Sequence, residues 1–465
     1  MSGAREKPEQ PGKPEKPEKP EKVVVLDDDP TGTQSAHDVD ILFGEIDTVD
    51  AGLAAFAADD RRAVYVLTNT RASTPDETAR LVGELRRSVR TRIGDRALVV
   101  LRGDSTLRGH VALEMNLLGL ADGVGIVVPA FPAGGRVTRG GVHLVRTAAG
   151  EVPVAETEYA RDPVFGYTHS RLDDWAREVG LGGRPVTLGL DEIRATGAGA
   201  GGGAGASAVA SALLHAPPGS VVLPDAVSDD DIATIAAGIG AARRAGRRVV
   251  VRAAAPLAAA LAGTSPRIVA PPAARAVLVA CGSHTEGASR QLARLPVPAR
   301  LLPDAERLLG AGPDDGHRTA AELDALAGRL RADLATRGLA VVATPRRRSA
   351  AHGDLHHGAV VMDALVRVVA AAAPAADCVV SKGGITGADI ATRALGSAAA
   401  RVLGQVVTGV PLWRLDRRGP GAHHQVVVPG NVGDDRVLLD IVESLRGRGR
   451  GRENGNGNGN GGGGS

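Results

Sequence analysis

Short runs of β-branched and other apolar residues alternate along this chain with longer segments rich in Ala, Leu and Arg. Continuous apolar runs are typical of strands buried on both faces, and helices between such strands indicate an α/β fold with a mostly parallel sheet. The pattern predicts helices between several runs, for example over Pro75–Arg92 and Asp229–Ala245. The predicted strands of this first series are Val23–Leu26, Ala63–Leu67, Ala97–Leu101, Gly125–Pro129, Ser220–Leu223 and Arg248–Val251.

The same alternation starts again in the second half, and a Pro/Ala-rich stretch over Ala262–Ala274 separates the two series. A chain of 465 residues is longer than one ordinary hydrophobic core supports. We therefore predict two α/β domains, over residues 23–262 and 275–446, each a mostly parallel sheet flanked by helices. The predicted strands of the second series are Ala276–Ala280, Gly338–Ala343, Cys378–Ser381 and Gln425–Val428.

Three segments have compositions that do not build a core. Residues 1–22 repeat Lys-Pro-Glu and residues 447–465 are rich in Gly and Asn, so both are predicted to be disordered. The segment Thr196–Ser207 is rich in Gly and Ala and is predicted to be a loop. Its glycines follow no predicted strand and open no well-marked helix, so they do not indicate a dinucleotide-binding fingerprint.

The bulk composition limits the classes of partner and compartment. The net charge is +2 and no basic stripe is interleaved with aromatic residues, so nucleic acid is a poor partner. Two cysteines, Cys281 and Cys378, are too few for a disulfide framework, which favours a reducing compartment. The sequence has no apolar signal segment and no uninterrupted apolar run of membrane-spanning length, so we expect a cytoplasmic protein. The sequence leaves open whether the chain forms a homo-oligomer.

Three acidic residues, Asp27, Asp28 and Asp29, follow the first predicted strand, and Pro30 and Gly32 then force a turn. The carboxyl ends of parallel strands are where open α/β sheets bind ligands. Crowded carboxylates repel each other unless they bind a cation, a donor-rich ligand or a proton. Because a capped polar loop does not need three consecutive acids, we predict a ligand-binding loop with these side chains aimed outward.

Arginine, hydroxyl and acidic residues follow the other strands of the first half. Arg102 and Arg108 bracket an Asp-Ser-Thr segment, Asp104–Thr106. Arginine forks bind carboxylate or phosphate, whereas Asp and hydroxyl groups bind sugar hydroxyls, so this mixture suits a polyhydroxy acid. An ion-paired loop is the alternative interpretation. A loop containing Arg71 and an Arg/Thr/Gly-rich loop over Pro129–His143 would converge on the same sheet edge.

Glycine turns with hydroxyl residues follow the strands of the second half. Backbone N–H groups and hydroxyls in such turns bind phosphates, although none of these turns has the Walker P-loop spacing. Of the six lysines in the chain, Lys382 is the only one outside residues 1–22. A compact ammonium reaches into a phosphate site as a point charge, and the alternative is a neutral exchange of Arg for Lys. The turns are Gly282–Thr285, Gly383–Gly387, Gly404–Pro411 and Pro429–Asp434.

Taken together, these segments resemble the four-carbon acid sugar kinase family from residue 23 to residue 445. The resemblance implies that ATP phosphorylates a 3-oxo-tetronate, threonate or erythronate. It also implies a sugar acid on the N-terminal domain, a nucleotide on the C-terminal domain and an active site in the cleft between them. The motifs that carry it are Asp28-Asp29-Pro30-Thr31-Gly32, Asp104–Gly109, Pro129–Pro132 with Gly135-Arg136, Gly383–Thr386, Gly409-Val410-Pro411 and Gly430-Asn431.

The resemblance and the chemistry of the loops together suggest candidate roles. Asp28 or Asp104 would accept the proton of the attacked hydroxyl. We favour Asp28 because acidic neighbours raise its proton affinity, whereas Arg102 and Arg108 lower that of Asp104. Mg²⁺ is expected to bridge the ATP phosphates, without assigned protein ligands. The candidate substrate-binding residues are Asp29, Thr31, Gly32, Arg71, Ser105, Thr106, Arg108 and Arg136, and the candidate ATP-binding residues are Ser283, Lys382, Gly383, Gly384, Ile385, Thr386, Gly409 and Asn431.

The chain departs from the pattern of this family around the candidate sites. His110 stands where Asn is common, Ile385 replaces a common Glu, and Thr408 replaces a Pro. These departures are compatible with the fold and reaction class, and they leave the exact four-carbon acid open.

Two other functions compete with the kinase interpretation. Asp27-x-Asp29-x-Thr31 after an apolar strand fits the nucleophile motif of haloacid-dehalogenase-type phosphatases, which form a phosphoaspartate. That chemistry also needs a later lysine near an acidic pair, and Lys382 has no such pair nearby. A non-catalytic sugar-acid sensor is the second alternative, and it leaves the glycine turns of the second domain unexplained.

Overall fold

The computed structural model describes residues 21–147, 150–195, 204–310, 315–346, 355–417, 420–430 and 432–447. Within these residues the strands are β1 Val23–Asp27, β2 Val39–Leu42, β3 Ala63–Leu67, β4 Leu98–Arg102, β5 Val124–Val128, β6 Arg136–Arg139, β7 Val142–Thr147, β8 Gly150–Pro153, β9 Pro185–Leu188, β10 Val221–Pro224, β11 Val249–Ala253, β12 Val277–Cys281, β13 Arg300–Leu301, β14 Leu339–Ala343, β15 Cys378–Lys382, β16 Ala399–Val407, β17 Val410–Asp416 and β18 His424–Val428.

The helices pack on both faces of the sheet that these strands form. A 3-10 helix over Pro30–Ser35 directly follows the acidic residues at the end of β1. The α-helices of the described residues are α1 Ile46–Ala58, α2 Pro75–Arg92, α3 Val111–Leu117, α4 Leu172–Glu178, α5 Leu190–Ile193, α6 Ala204–His215, α7 Asp229–Arg244, α8 Ala255–Ala262, α9 Glu286–Ala293, α10 Ala305–Leu309, α11 Asp315–Arg337, α12 Leu355–Ala372, α13 Gly384–Asp389 and α14 Val437–Leu445.

Fifteen of the described strands form one continuous sheet, and β6, β7 and β8 form a small antiparallel sheet beside it. The prediction of a mostly parallel, two-domain α/β fold is confirmed. What the sequence did not predict is that the two domains share their sheet, because β16 pairs with β2 edge to edge. The order of strands in the large sheet is β13-β14-β12-β15-β18-β17-β16-β2-β3-β1-β4-β11-β5-β10-β9.

Both domains repeat the same strand order around their first strand. In the N-terminal domain the order is β2-β3-β1-β4, and in the C-terminal domain it is β13-β14-β12-β15. In each case the chain moves to one side of its first strand and then crosses to the other side. Ligands of open α/β sheets bind at this reversal, outside the carboxyl ends of the strands. The expected sites are therefore the loops after β1 and β4 in one domain and after β12 and β15 in the other.

The parallel strands of the two domains point in opposite directions along the shared sheet. The direction reverses three times between them, since β16 is antiparallel to β2 and to β17, and β17 is antiparallel to β18. A flat sheet would place the two ligand-binding edges on opposite sides of the molecule. Adjacent strands rotate by roughly 20–25°, so the six steps from β1 to β15 add up to roughly 120–150°. This twist turns the two edges toward each other.

Apolar packing closes the junction between the domains. The rings of Phe43 and Trp413, which are both buried, stack with centroids 6.2 Å apart. Most other buried positions are Ala, Val and Leu, as the low aromatic content predicts. One helical stretch, His357–Ala375, is long and apolar enough to cross a membrane by length and composition, but this stretch includes most of α12, which packs against α11 inside the domain.

Two segments predicted as loops or turns are partly strands in the structure. The predicted loop over Pro129–His143 is wrong from Arg136 onward, where β6 and the start of β7 form a hairpin that turns at Gly140 and Gly141 with φ of 60° and 74°. Positive φ at both central residues is the two-residue turn that favours Gly-Gly, so the glycine pair carried the correct signal. The predicted turn over Gly404–Pro411 is also wrong in part, because only Thr408 and Gly409 turn, between β16 and β17.

The remaining differences concern segments predicted without structure. The predicted loop over Thr196–Ser207 is wrong from Ala204 onward, where α6 begins, and residues 196–203 lie outside the described residues. Residues 1–20 and 448–465 also lie outside the described residues. Lys22 packs on the N-terminal domain, and its Nζ donates to the carbonyls of Phe56 and Asp59 at 3.0 and 2.8 Å.

Candidate active site

The three acidic side chains at the end of β1 point into the protein. Asp27, Asp28 and Asp29 are 1%, 2% and 6% exposed, so the prediction that they aim outward is wrong. The 3-10 helix folds back over them, and a Cβ at Gly32 would overlap the Asp27 carboxylate. Only glycine therefore fits at position 32, and its role there is to admit the buried acid beneath it.

Two buried arginines neutralise this acidic group from below. Arg102 Nη1 lies 3.0 Å from Asp27 Oδ1, and Arg252 Nη2 lies 3.0 Å from Asp28 Oδ2. Burial raises the pKa of Asp27 to about 7, and the charge of Arg102 opposes part of this rise. Arg102, which the sequence assigns to the substrate loop beside Asp104, lies instead under the acids of β1 with 5% of its surface exposed.

A second layer of charges lies nearer the surface, around Asp104. Arg108 Nε donates to Asp104 Oδ2 at 2.7 Å, and Arg71 Nη1 lies 3.6 Å from Asp104 Oδ1. Burial alone would raise the pKa of Asp104, but the charges of Arg71 and Arg108 outweigh it and hold that pKa well below its usual range. A lowered proton affinity of Asp104 was predicted from the sequence, with Arg102 and Arg108 as its cause. In the structure Arg71, and not Arg102, is the second arginine beside Asp104. Thr106 adds a hydroxyl that donates to the same carboxylate.

Asp29 links this layer to the C-terminal domain. Its carboxylate forms an ion pair with Arg71 and accepts a hydrogen bond from the backbone N–H of Thr31 at 2.7 Å. On its other side lies the first residue of α13, Gly384, where an added Cβ would come within 2.9 Å of Asp29 Oδ2. The acidic turn of one domain and the glycine turn of the other therefore meet directly.

The remaining predicted substrate residues surround this layer. The carbonyl of Ser105 lies 2.8 Å from His143 Nε2, and the carbonyl of Thr106 accepts from the hydroxyl of Tyr167 at 2.7 Å. Burial lowers the pKa of His143 to about 4, so this imidazole is neutral. Arg136 starts β6, and its guanidinium donates to the carbonyl of Gly134.

Several residues of this site escaped the sequence reasoning. Arg252 directly follows a predicted apolar run, and Glu114 lies on the buried face of α3. A charged residue next to or within an apolar pattern was the signal in the sequence that could have identified both. Asp162 and Tyr159 come from a segment without periodicity. The Asp162 carboxylate lies 3.5 Å from Arg108 Nη1, and the Tyr159 ring centroid lies 5.1 Å from the Arg108 guanidinium carbon.

The glycine turns of the C-terminal domain gather at the ends of β12, β15 and β18. Gly383 has a φ of +123°, which only glycine adopts without strain, and its position places it beside the backbone N of Ser283. A Cβ at Gly282 would overlap the Thr386 hydroxyl, so the turns after β12 and β15 pack tightly together. Ile385, between these small residues, is 47% exposed.

Lys382 lies beneath these turns and is fully buried. Its Nζ donates to the carbonyls of Pro429 and Val432 at 2.7 and 3.3 Å, so the ammonium holds both ends of the turn after β18. Burial lowers the pKa of Lys382 to about 8. Asn431 lies outside the described residues.

Arg346, after β14, supports the turn after β12 from the other side. Its Nη1 donates to the carbonyl of Ser283 at 2.6 Å, and its Nη2 donates to Ser289 Oγ at 2.8 Å. The same guanidinium borders an open cavity of about 460 Å³ lined by Leu292, Val297 and neighbouring apolar residues. An apolar cavity next to a phosphate-binding type of turn suits a flat, mostly apolar ring.

The hairpin of β16 and β17 contacts the 3-10 helix of the N-terminal domain. Trp413 Nε1 donates to Thr33 Oγ1 at 3.1 Å. The Gln405 side chain donates to the carbonyl of Gln34 and accepts from the backbone N–H of Gly409 at 3.0 Å. The buried side-chain amide of Gln405 thereby links Gly409, a predicted ATP contact, to the 3-10 helix that follows the acidic residues of β1. Within the described ranges, no group of three His, Cys, Asp or Glu side chains is placed to hold a metal ion.

Comparison with known proteins agrees with this division of the chain. Residues 23–261 match a model of a sugar-binding N-terminal domain, and residues 278–438 match a model of a nucleotide-binding C-terminal domain. The chain is 30% identical over 368 residues to a D-threonate kinase of Bordetella bronchiseptica, a match that covers 74% of this chain and 77% of the relative. It is 38% identical over 105 residues to a D-erythronate kinase of Heliobacterium modesticaldum, covering 22% of each protein.

Solved structures share the whole fold at low sequence identity. A crystal structure from Salmonella typhimurium LT2 superposes with a TM-score of 0.66 at 18% identity, covering 90% of this chain and 98% of that one. A Haemophilus influenzae protein gives a TM-score of 0.61 at 16% identity, covering 92% and 100%. These two structures support the fold of both domains.

Proposed function

This chain belongs to the four-carbon acid sugar kinase family, and we propose that it transfers the γ-phosphoryl group of ATP to a hydroxyl of a tetronate-type acid. The observation that carries the proposal is the contact between Asp29 of the acidic turn and Gly384 of the glycine turn. In-line phosphoryl transfer depends mainly on positioning two ligands and stabilising charge, and this contact brings the two half-sites together. As working boundaries we propose residues 23–262 for the sugar-acid domain and 275–446 for the nucleotide domain.

We assign the proton-accepting role to Asp28 and a binding role to Asp104. Both oxygens of Asp104 face donors or cations, so its ionised form is stabilised and its proton affinity is low. Asp28 accepts one side-chain hydrogen bond, from Arg252, whereas Asp104 accepts two. Asp28 Oδ1 is buried and lies 3.6 Å from Arg102 Nη1, with no hydrogen-bond partner among the described residues. An acceptor oxygen without a hydrogen bond suits the proton of an attacked hydroxyl.

The anionic group of the substrate would lie between the arginines of the outer layer. Arg71 and Arg108 are 22% and 24% exposed at their side chains, whereas Arg102 is buried, so the first two are open to a ligand. Beside these arginines, the hydroxyl of Thr31 donates to the Asp29 carboxylate and the hydroxyl of Thr106 donates to the Asp104 carboxylate. Arg136 and Ser105 complete the proposed sugar-acid site.

ATP would bind across the turns that Ser283, Gly383–Thr386 and Gly409 provide. Lys382 binds the carbonyls of Pro429 and Val432, and we propose that Lys382 and Asn431 belong to the nucleotide site. The apolar cavity beside Arg346 would take the adenine ring. Because the described residues offer no group of three metal-binding side chains, we propose that Mg²⁺ is held chiefly by phosphate and water oxygens. We propose a cytoplasmic location, where ATP is available.

The phosphatase alternative loses support from the same geometry. Its nucleophile would be Asp27, which is buried beneath Gly32 and paired with Arg102. Its lysine would be Lys382, whose ammonium is bound to two backbone carbonyls of the other domain. The two residues are therefore not placed to share a phosphoryl group.

The test is ADP release by the purified protein with D-threonate, L-threonate, D-erythronate and 3-oxo-tetronates, compared with phosphate release from phosphate esters. We expect ADP release with at least one acid. Asp28→Asn should then lower kcat by on the order of 10²–10⁴-fold with little change in substrate affinity. Asp104→Asn should raise KM for the acid with a smaller loss of kcat. Ester hydrolysis without ADP release would contradict the proposal.

A further inference from the structure

A chain of three buried polar side chains leads to the buried carboxylate of Asp28. Thr70 Oγ1 donates to Glu114 Oε1 at 2.7 Å, and Arg252 Nη1 contacts the other oxygen of Glu114. The second arm of the same guanidinium, Nη2, donates to Asp28 Oδ2 at 3.0 Å. All four residues are at most 5% exposed. Residues from the 3-10 helix Thr70–Ala72, from α3 and from β11 are thus linked to one carboxylate directly after β1.

The backbone around this chain leaves room for the Arg252 guanidinium. A Cβ added at Gly103 would overlap the guanidinium, and one at Gly109 would come within 2.8 Å of Arg252 Nη2. Gly109 also has a φ of +128°, a conformation that L side chains rarely adopt. Gly103 and Gly109 flank the substrate loop, and because neither has a side chain, the Arg252 guanidinium has space below that loop.

A guanidinium buried between two carboxylates is an arrangement that stability alone does not favour. Buried ion pairs are often no more stabilising than apolar residues of similar volume. A planar fork, however, fixes the orientation of a carboxylate more tightly than a flexible ammonium does. Here it binds Oδ2 of Asp28, while Oδ1 lies 3.6 Å from Arg102 Nη1 and has no hydrogen-bond partner among the described residues. That orientation is what a proton acceptor needs.

We propose that Arg252 is a positioning residue for phosphoryl transfer and that Glu114 sets the net charge that Arg252 presents to Asp28. The inference rests on the proposed role of Asp28 as the proton acceptor. Arg252 would hold the Asp28 carboxylate in place, and Glu114 would keep that cation from stabilising the ionised carboxylate too strongly.

The groups that face Asp28 from the packed elements include both acids and bases. Asp27 of β1 and Glu114 of α3 are acidic, whereas Arg102 of β4 and Arg252 of β11 are basic. Replacing Glu114 by Gln keeps the shape and removes one negative charge. The remaining positive excess favours the ionised carboxylate and weakens it as a base. The acidic limb of the kcat–pH profile should therefore move to lower pH.

The test uses Arg252→Lys and Glu114→Gln in the full-length protein, with ADP release as the readout. Arg252→Lys should lower kcat by on the order of 10²-fold, because misplacing the base removes much of its contribution. KM for ATP and for the acid should stay within about threefold, since neither ligand contacts Arg252 in the proposal. Glu114→Gln should move the acidic limb down by about one pH unit.

Asp231→Asn is the matched control, because Asp231 is also a buried acid of the N-terminal domain paired with an arginine, Arg194, at 2.8 Å. It should change stability but neither kcat nor the pH profile. If kcat of Arg252→Lys equals that of the wild type, or Glu114→Gln leaves the acidic limb in place, the inference is overturned. If Arg252→Lys does not fold, Glu114→Gln alone decides. A wild type that releases no ADP overturns the proposed function instead, before any variant is compared.

Discussion

At the scale of single residues, the site is organised by the pairing of buried acids with arginines. Asp27, Asp28 and Asp104 follow parallel strands, and the sequence predicted their place in the fold from the apolar runs before them. The sequence did not reveal which arginine pairs with which acid, because that depends on contacts between strands far apart in the chain. Arg102 and Arg252 are the examples: both end buried strands, and both face the acids of β1.

The raised pKa of Asp27 leads to a prediction about stability and pH. An acid whose folded pKa lies above its unfolded value contributes stability below the unfolded pKa and loses it as pH rises through the folded pKa. For Asp27 this interval runs from 3.8 to about 7. The Asp27→Asn variant stays neutral throughout, so its melting temperature relative to the wild type should rise between pH 5 and pH 8. A constant difference across this range would show that Asp27 titrates normally.

Lys382 gives a second prediction at this scale. Lys382→Met removes the ammonium that holds the carbonyls of Pro429 and Val432, and the turn after β18 should lose its fixed geometry. We expect a weaker thermal shift with ATP and an unchanged shift with the sugar acid. Lys22→Met is the matched control, because Lys22 also donates to backbone carbonyls but lies outside both half-sites. An ATP response equal to that of the wild type would exclude Lys382 from the nucleotide site.

At the scale of elements, the sequence predicted the long buried parallel strands and missed the short parallel strands β2, β9 and β13 and the antiparallel pair β16 and β17. The predicted starts or ends of β1, β3, β12 and β15 agree within one or two residues. The strand β16 alternates buried and half-buried residues over its first half, so its pattern depends on the elements that cover each face. Gly404 indicated a turn, but it lies at an irregular register of β16, close to the backbone of Arg267. Glycine inside a strand often marks such a bulge.

The hairpin of β16 and β17 connects the domains, which yields a third prediction. Gln405→Leu leaves the buried carbonyl of Gln34 and the N–H of Gly409 without partners, at a cost of about 1–3 kcal/mol each. We expect lower stability toward urea and faster proteolysis of the linker over residues 262–274. Gln425→Leu is the control, since Gln425 is a buried amide that bonds Ser381 and Gly387 within one domain. Equal linker cleavage in both variants would contradict a clamping role for Gln405.

At the scale of the whole molecule, two similar sheets are joined so that their ligand-binding edges face each other. Strand order alone places one edge after β1 and β4 and the other after β12 and β15. The sequence predicted both edges, since each domain contains its own apolar runs and polar loops. The family resemblance implied that the edges meet in one cleft. The apolar pattern did not predict the shared sheet, because its twist accumulates across strands from both halves of the chain.

The contact between the half-sites supports the last prediction. Gly384→Ala adds a methyl group 2.9 Å from Asp29 Oδ2, and Asp29 is held by Arg71 and by the backbone of Thr31, so the two turns must move apart. Misplacement of reacting groups by about 1 Å costs on the order of 10²-fold in rate. We expect kcat to fall by about that factor while ATP and the acid each bind nearly as in the wild type.

Gly83→Ala is the control for this substitution, because an added Cβ there meets open space on α2. A smaller side chain at position 29 should relieve the clash, so Asp29→Ser combined with Gly384→Ala should lose less activity than the two single changes predict. Positive coupling of this kind would show that the Asp29 carboxylate is the group that the added methyl group displaces. Additive losses would mean that the two substitutions lower activity independently and that the contact between the turns is not the cause.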